Sequence, residues 1–336
     1  MTSSLLVRTL AAVFSVGFVF GGSSTATNLS GPRLGLVFDR GARALRPISG
    51  IPGAATTGEP LALGFAISRA EISPTQDAAL VVNARSSAVA LVRASGSDWV
   101  TASLDGVEAA PNSMVFSPGG SAAALYYTAG RVQILTGLPA APAVAREIDV
   151  SGLPVPITAM AVNDTGSFLL MAAGQAESVS LYYVPISSAP RLVGSFRSVS
   201  SVRLFNAGQQ ALVADTLAAT VYQVTDPAGA AITQMVASAS DGISELVAAD
   251  TDSTGQRIFA AVATGTVFIL DRSGGLAATL NCACTPTGLF RLAGAATFRL
   301  TELAGGPVQV LDANATPRIV AVPPPAQAAA RPEVRR

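Results

Sequence analysis

The chain of 336 residues has neither lysine nor histidine; arginine supplies all 21 basic side chains, and 21 carboxylates balance them. Without an imidazole there is no Ser–His–Asp or Cys–His nucleophile system, and no histidine-ligated zinc, copper or haem. Without lysine there is no P-loop ammonium and no Schiff base. Charged residues are scarce at 12%, and a net charge of zero gives no dense cationic face to displace phosphate counterions, so no nucleic-acid partner is expected. Aromatics are also scarce at 6%, with one tryptophan and two cysteines. Carboxylate chemistry, oxygen-ligated metal, unassisted serine or threonine, and plain recognition survive these exclusions.

Long apolar runs are nearly absent too. Only Leu10 to Phe20 is an almost unbroken one, and it is shorter than the roughly 20 residues that span a bilayer. Arg8 precedes it and small residues (Gly21, Gly22, Ser23, Ser24, Thr25, Ala26) follow, the three-part form of a secretory signal peptide. Cleavage is expected after Ala26, with a retained N-terminal anchor as the alternative. The mature chain is then expected to have no membrane span and to work outside the cytoplasm, in the periplasm or released.

What is present is half apolar, enough for a substantial core. The apolar segments recur with a period. Polar turns at Ser73, Ser117, Asn163, Asn206, Asp252 and Leu292 are spaced by 44, 46, 43, 46 and 40 residues. Each turn follows one apolar strand and precedes a second, such as Ala79 to Asn83 or Ala124 to Tyr127; a third follows, such as Arg131 to Leu135, and then a weaker fourth. Strands of four to seven residues closed by regular turns are a β signal, and four-stranded units of this length match propeller blades. The expected fold is therefore all-β: a β-propeller of four-stranded antiparallel blades, with each sheet burying its faces against its neighbours. Residues 34–48 resemble only the back half of a unit, which favours seven blades and leaves six as the alternative. The propeller is placed at residues 31–322, and residues 323–336 are expected to form a Pro/Ala-rich disordered tail.

The turn and strand pattern of Ser73-Pro74, Leu80-Val81-Val82-Asn83 and Ser117-Pro118-Gly119-Gly120 resembles the YVTN-type, WD40-like β-propeller repeats of bacterial extracytoplasmic proteins. A Gly-His pair and a Trp-Asp dipeptide, the WD40 signature, are missing. The resemblance implies the fold and an extracytoplasmic setting, and it transfers no active-site residue.

Residues near the expected ends of inner strands are the candidate binding groups at a channel mouth: Arg69, Glu71, Asn112, Arg203, Asp241 and Glu245. Asp250, Asp252 and Thr254 have the alternating oxygen pattern of a calcium loop, but its twelfth position is Ala261, which has no ligand atom; an ordinary strand–strand turn is the favoured reading, with a weak cation site as the alternative. No cofactor other than such a calcium ion is expected. Cys282 and Cys284 are expected either to form a disulfide, which needs a local bend, or to be small buried thiols, with redox or metal chemistry a third option. The functional expectation is a monomeric, non-catalytic propeller that binds or scaffolds a protein or polymer partner. The alternative is a carboxylate-dependent hydrolase or lactonase at the channel mouth.

Overall fold

A computed structural model describes residues 31–304 and 306–325; the expected signal peptide at 1–26 and the tail beyond 325 lie outside the described residues. Twenty-seven strands form seven antiparallel sheets. Blade 1 is β1 (Arg33–Asp39), β2 (Ala44–Ser49) and β3 (Thr56–Thr57). Blade 2 is β4 (Ile67–Ile72), β5 (Ala78–Asn83), β6 (Val89–Ser95) and β7 (Asp98–Ser103). Blade 3 is β8 (Ser113–Phe116), β9 (Ala122–Tyr127), β10 (Arg131–Thr136) and β11 (Ala143–Asp149). Blade 4 is β12 (Ile157–Val162), β13 (Phe168–Gln175), β14 (Ser178–Pro185) and β15 (Arg191–Phe196). Blade 5 is β16 (Val199–Phe205), β17 (Gln210–Asp215), β18 (Thr220–Thr225) and β19 (Ile232–Ala237). Blade 6 is β20 (Leu246–Thr251), β21 (Arg257–Val262), β22 (Thr266–Asp271) and β23 (Leu276–Asn281). Blade 7 is β24 (Phe290–Arg291), β25 (Thr297–Arg299), β26 (Val308–Asp312) and β27 (Arg318–Val322). No α-helix occurs among the described residues.

In blades 2 to 7 the six turns that mark the sequence repeat all join the first strand to the second. The second and third strands are buried on both faces, as in Ala122–Tyr127, while the fourth are largely exposed, as in Ala143–Asp149. Most of the fully buried alanines sit in second strands (among them Ala79, Ala123, Ala124, Ala172, Ala173, Ala260 and Ala261), where flanking blades press from both sides.

The core is divided into seven clusters, one at each blade junction. Val132 and Ile134 of blade 3 meet Leu169 and Met171 of blade 4, for example. The seventh cluster brings Leu34, Val37 and Ile48 of blade 1 onto Leu292, Val308 and Val310 of blade 7. The ring is thus closed, and the molecule is a seven-bladed propeller. Each fully buried leucine or isoleucine at such a junction contributes on the order of 1.5–3 kcal/mol relative to exposure.

Blade 1 departs from the other six in having three strands. Arg43, in the β1–β2 turn, accepts a hydrogen bond from the backbone N–H of Ile67 at the start of blade 2. Ser87, in the β5–β6 turn, accepts one in the same way from Ala110 ahead of blade 3. The β1–β2 turn is therefore equivalent to the turn between second and third strands elsewhere, and blade 1 lacks an innermost strand. The inner edge of β1 is met by blade 7 instead: Ala293 donates to the Leu34 carbonyl, and Leu303 forms a parallel bridge with Asp39.

Candidate functional site

The strand registers place one position of each inner strand at the same height around the axis. Glu71, Val115, Ala161, Arg203, Asp250 and Phe290 pair with Leu80, Ala124, Leu170, Leu212, Phe259 and Arg299 of the second strands. All six line one axial cavity of about 600 Å³. Because blade 1 has no inner strand, Leu36, Phe38 and Arg40 of β1 and its turn face this cavity directly, and Glu302 and Ala304 reach it from blade 7. Its volume lies in the range of small-molecule sites, and most of its wall is apolar.

The charged groups of the wall fall into two sets. Asp250 is buried, receives Arg291 Nη2 at 2.8 Å, and lies 3.7 Å from Arg203 Nε. Arg299 lies 3.3 Å from Glu302 and over the ring of Phe290 at 4.0 Å, and burial lowers its guanidinium below the usual range despite Glu302 and Glu71. These groups are matched internally. Arg203 and Arg40, by contrast, donate no hydrogen bond to a described residue, and Glu71 has neither hydrogen bond nor close ion pair among them. Enclosure in the cavity wall pushes the Glu71 carboxyl up to about 7, against the pull of Arg203 and Arg299 and with help from Glu302. A carboxyl titrating near neutrality in a concave site is a recognised mark of function.

The floor of the cavity is set by Gln76. Three residues after the turn anchors Ser117, Asn163 and Asp252 the chain has Gly120, Gly166 and Gly255, each at positive φ. The equivalent residue after Ser73 is Gln76, at φ 62°. A side chain is costly in that conformation, and here it is put to use. Gln76 Oε1 accepts from Leu36 N at 2.8 Å, while Nε2 donates to the carbonyls of Ser73 (3.2 Å) and Arg291 (2.5 Å). One buried amide thus ties blades 1, 2 and 7 together. Gly35 makes room for it, since a Cβ there would stand 2.5 Å from Gln76 Oε1.

Of the six expected channel-mouth residues, the structure brings Glu71 and Arg203 into the cavity. Arg69 is spent on the carbonyls of Pro111 and Asn112, and the Asn112 side chain accepts from Thr128 N. Asp241 caps a short 3-10 turn at Ala239–Asp241, and Glu245 lies exposed ahead of β20. These four do not line the cavity. Arg40, Arg291, Arg299 and Glu302 are wall residues that the sequence reading missed. Aligning the repeats at their turns would have put Asp250, two residues before Asp252, level with Glu71, two before Ser73; Arg203 stands three before Asn206 and is brought level only by the strand register. No repeat signal marks the segment carrying Glu302.

The calcium-like triplet is split between two networks. Asp250 faces the arginines, whereas Asp252 Oδ1 accepts from Thr254 Oγ1, Thr254 N and Gln256 N, and Oδ2 lies 3.0 Å from Arg257 Nε. Although burial opposes it, these hydrogen bonds hold the Asp252 carboxyl below its usual range. Asn163 makes the same kind of bonds to Ser167 N and Thr165 in blade 4, so Asp252 acts as the turn residue of its repeat. Among the described residues no three potential metal ligands gather. Cys282 and Cys284 form a disulfide just past the end of β23, with Cα atoms 5.1 Å apart, closer than the roughly 6.6 Å of an extended strand.

No protein-family model matches the chain, and no curated protein does either. Solved structures do resemble it. A functionally unknown protein from Desulfotomaculum acetoxidans aligns with TM-score 0.61 and 11% identity, over 87% of this chain and 99% of its own. Hydrazine synthase of Kuenenia stuttgartiensis aligns with TM-score 0.55 and 13% identity, over 93% of this chain and 100% of its own. A chain of a nidogen/laminin complex aligns with TM-score 0.51 and 10% identity, over 76% and 96%. At such identities the likeness is one of fold, and fold alone assigns no function.

Proposed function

We propose that the chain is an exported, non-catalytic binding propeller of the YVTN-like extracytoplasmic kind, acting as a monomer, and that it recognises its partner through the axial cavity. The expected protein or polymer partner would engage by inserting a group there; a free small molecule would fill the same space. One observation carries this reading: Arg40 and Glu71 face a concave, mostly apolar space with no hydrogen bond or ion pair among the described residues, and Arg203 faces it with only a 3.7 Å ion pair to Asp250 and no hydrogen bond. Polar groups held in such a place gain most when a ligand completes their hydrogen bonds. The leader-like N-terminus and the repeat pattern support export.

The test is native mass spectrometry of the full chain produced with its own leader and recovered from the extracytoplasmic fraction. A mature N-terminus at Thr27 and a stoichiometric adduct or partner, reduced in Arg203→Glu, are the expected results. Retention in the cytoplasm would end the export claim. Unliganded protein that binds nothing from periplasm or medium would end the binding claim.

A second reading, a carboxylate-dependent hydrolase or lactonase, is favoured by the raised Glu71 carboxyl. It is weaker because Asp250 and Glu302 are already matched to arginines, leaving one unpaired acid where such chemistry uses two. Ester or lactone hydrolysis abolished by Glu71→Gln would establish it over the first.

A further inference from the structure

We infer that the axial cavity takes a small organic anion with an apolar body, its acid group held on Arg203 and the remainder packed against Phe116, Leu204 and Phe290. This rests on reading the cavity as a ligand site and adds the class of ligand.

The argument is one of charge and satisfaction. Four guanidiniums face the cavity against three carboxyls. Arg299 is matched to Glu302, while Arg291 and Arg203 share the single carboxylate of Asp250, Arg203 at 3.7 Å and without a hydrogen bond; that leaves one cation in excess on this pair, Arg40 open, and Glu71 as the open carboxyl. A cationic ligand would find Asp250 and Glu302 occupied and four positive groups around it. A neutral ligand without acceptors would bury Arg203 with its N–H donors unsatisfied, which is costly. An anion pairs with Arg203 in the planar, bidentate geometry that guanidinium offers. A small inorganic anion would leave the hydrophobic wall in contact with water, so the ligand also carries apolar surface.

Glu71 makes the site responsive to pH. The charged groups around it are Arg203 from β16 and Arg299 from β25, with Glu302 beyond, and Asp250, Arg291 and Arg40 complete the wall. Glu71 titrates near neutrality. Protonating it removes a negative charge from the cavity, so an anion binds more tightly on the acid side.

The test compares 8-anilinonaphthalene-1-sulfonate, an amphipathic anion, with N-phenyl-1-naphthylamine, its uncharged counterpart, by fluorescence titration of the intact protein. The anion is expected to bind one-to-one, and Arg203→Gln to weaken it by about tenfold or more while leaving the neutral probe within about threefold. Binding of the anion should be tighter at about pH 6 than at about pH 8, and Glu71→Gln should show the tighter value at both. Arg203 makes no hydrogen bond that folding depends on, and circular dichroism of each variant confirms the fold. Equal binding of both probes, indifferent to Arg203→Gln, would overturn the anion inference while leaving a cavity that binds apolar molecules. If neither probe binds, the ligand-site reading falls with it.

Discussion

Two side chains in the cavity wall carry consequences beyond binding. Gln76 holds a backbone conformation that glycine holds in three other turns, so its amide must return more than that conformation costs. Gln76→Gly relieves the backbone but strands Leu36 N and opens the junction of blades 1, 2 and 7; a loss of about 1–3 kcal/mol is expected in urea unfolding. A neutral or stabilised variant would show that the clasp contributes nothing. Glu71 has a folded-state pKa near 7, raised from 4.5. The native state therefore keeps a proton that the unfolded chain has released, and stability falls as pH rises from about 4.5 through 7. With water in the cavity, the effect should be roughly 2 kcal/mol, and Glu71→Gln should remove it, making the variant more stable than wild type at about pH 8. The acids lowered by turn hydrogen bonds, Asp39, Asp252 and Asp312, lose their contribution only below their usual range, so the two windows do not overlap. Thermal unfolding across pH would reject the idea if wild type and variant ran parallel. Glu71 and Arg203 were legible in the sequence because they sit in strands that the repeats define. Arg299 and Glu302 were not, since the last repeat is degraded and its β24 is only two residues long.

The crossing from blade 6 to blade 7 carries the disulfide. Its disulfide spans a single residue, and closing so short a loop restrains the unfolded chain little. Replacing both cysteines by serine should therefore cost only about 1–2 kcal/mol, below the usual value for a native bridge. Gly265, in the β21–β22 turn, faces this segment at φ 98°, and a Cβ there would stand 2.6 Å from the Cys282 carbonyl and 2.7 Å from that of Cys284. Gly265→Ala should thus destabilise more than losing the disulfide, by about 2–4 kcal/mol. The reverse ranking in calorimetry would show that the bridge, rather than the close backbone approach, organises this crossing. Turns and strands of this kind were readable because Ser73, Ser117, Asn163 and Asp252 repeat the same local chemistry. The bend that brings the cysteines together was not, because it depends on where β23 stops and on the neighbouring hairpin.

At the scale of the whole molecule, the junction between blades 7 and 1 differs from the other six in having no connecting segment across it among the described residues. Many closed rings overcome this by sharing one blade between the two ends of the chain. Here, among the described residues, each terminal sheet is built from one end only, and the sequence hinted at it: residues 34–48 matched the back half of a unit, and that half became a blade without an inner strand. Packing of Leu34, Val37 and Ile48 on Leu292, Val308 and Val310 closes the ring, helped by the Gln76 clasp and the bond from Ala293 N to the Leu34 carbonyl. Opening there breaks one interface and no covalent link, so it is the cheapest large-scale excursion available to the fold. Native-state hydrogen exchange should show the amides of Leu36 and Ala293 exchanging through a sub-global opening, at a free energy several kcal/mol below that of Leu170 in blade 4. Added urea should then bring the two sets together as global unfolding takes over. The same opening widens the axial cavity at the β1 wall, so a bound ligand that touches Arg40 or Phe38 should selectively slow exchange at Leu36. Uniform protection around all seven blades would mean that packing and these few hydrogen bonds close the junction as firmly as a shared sheet does.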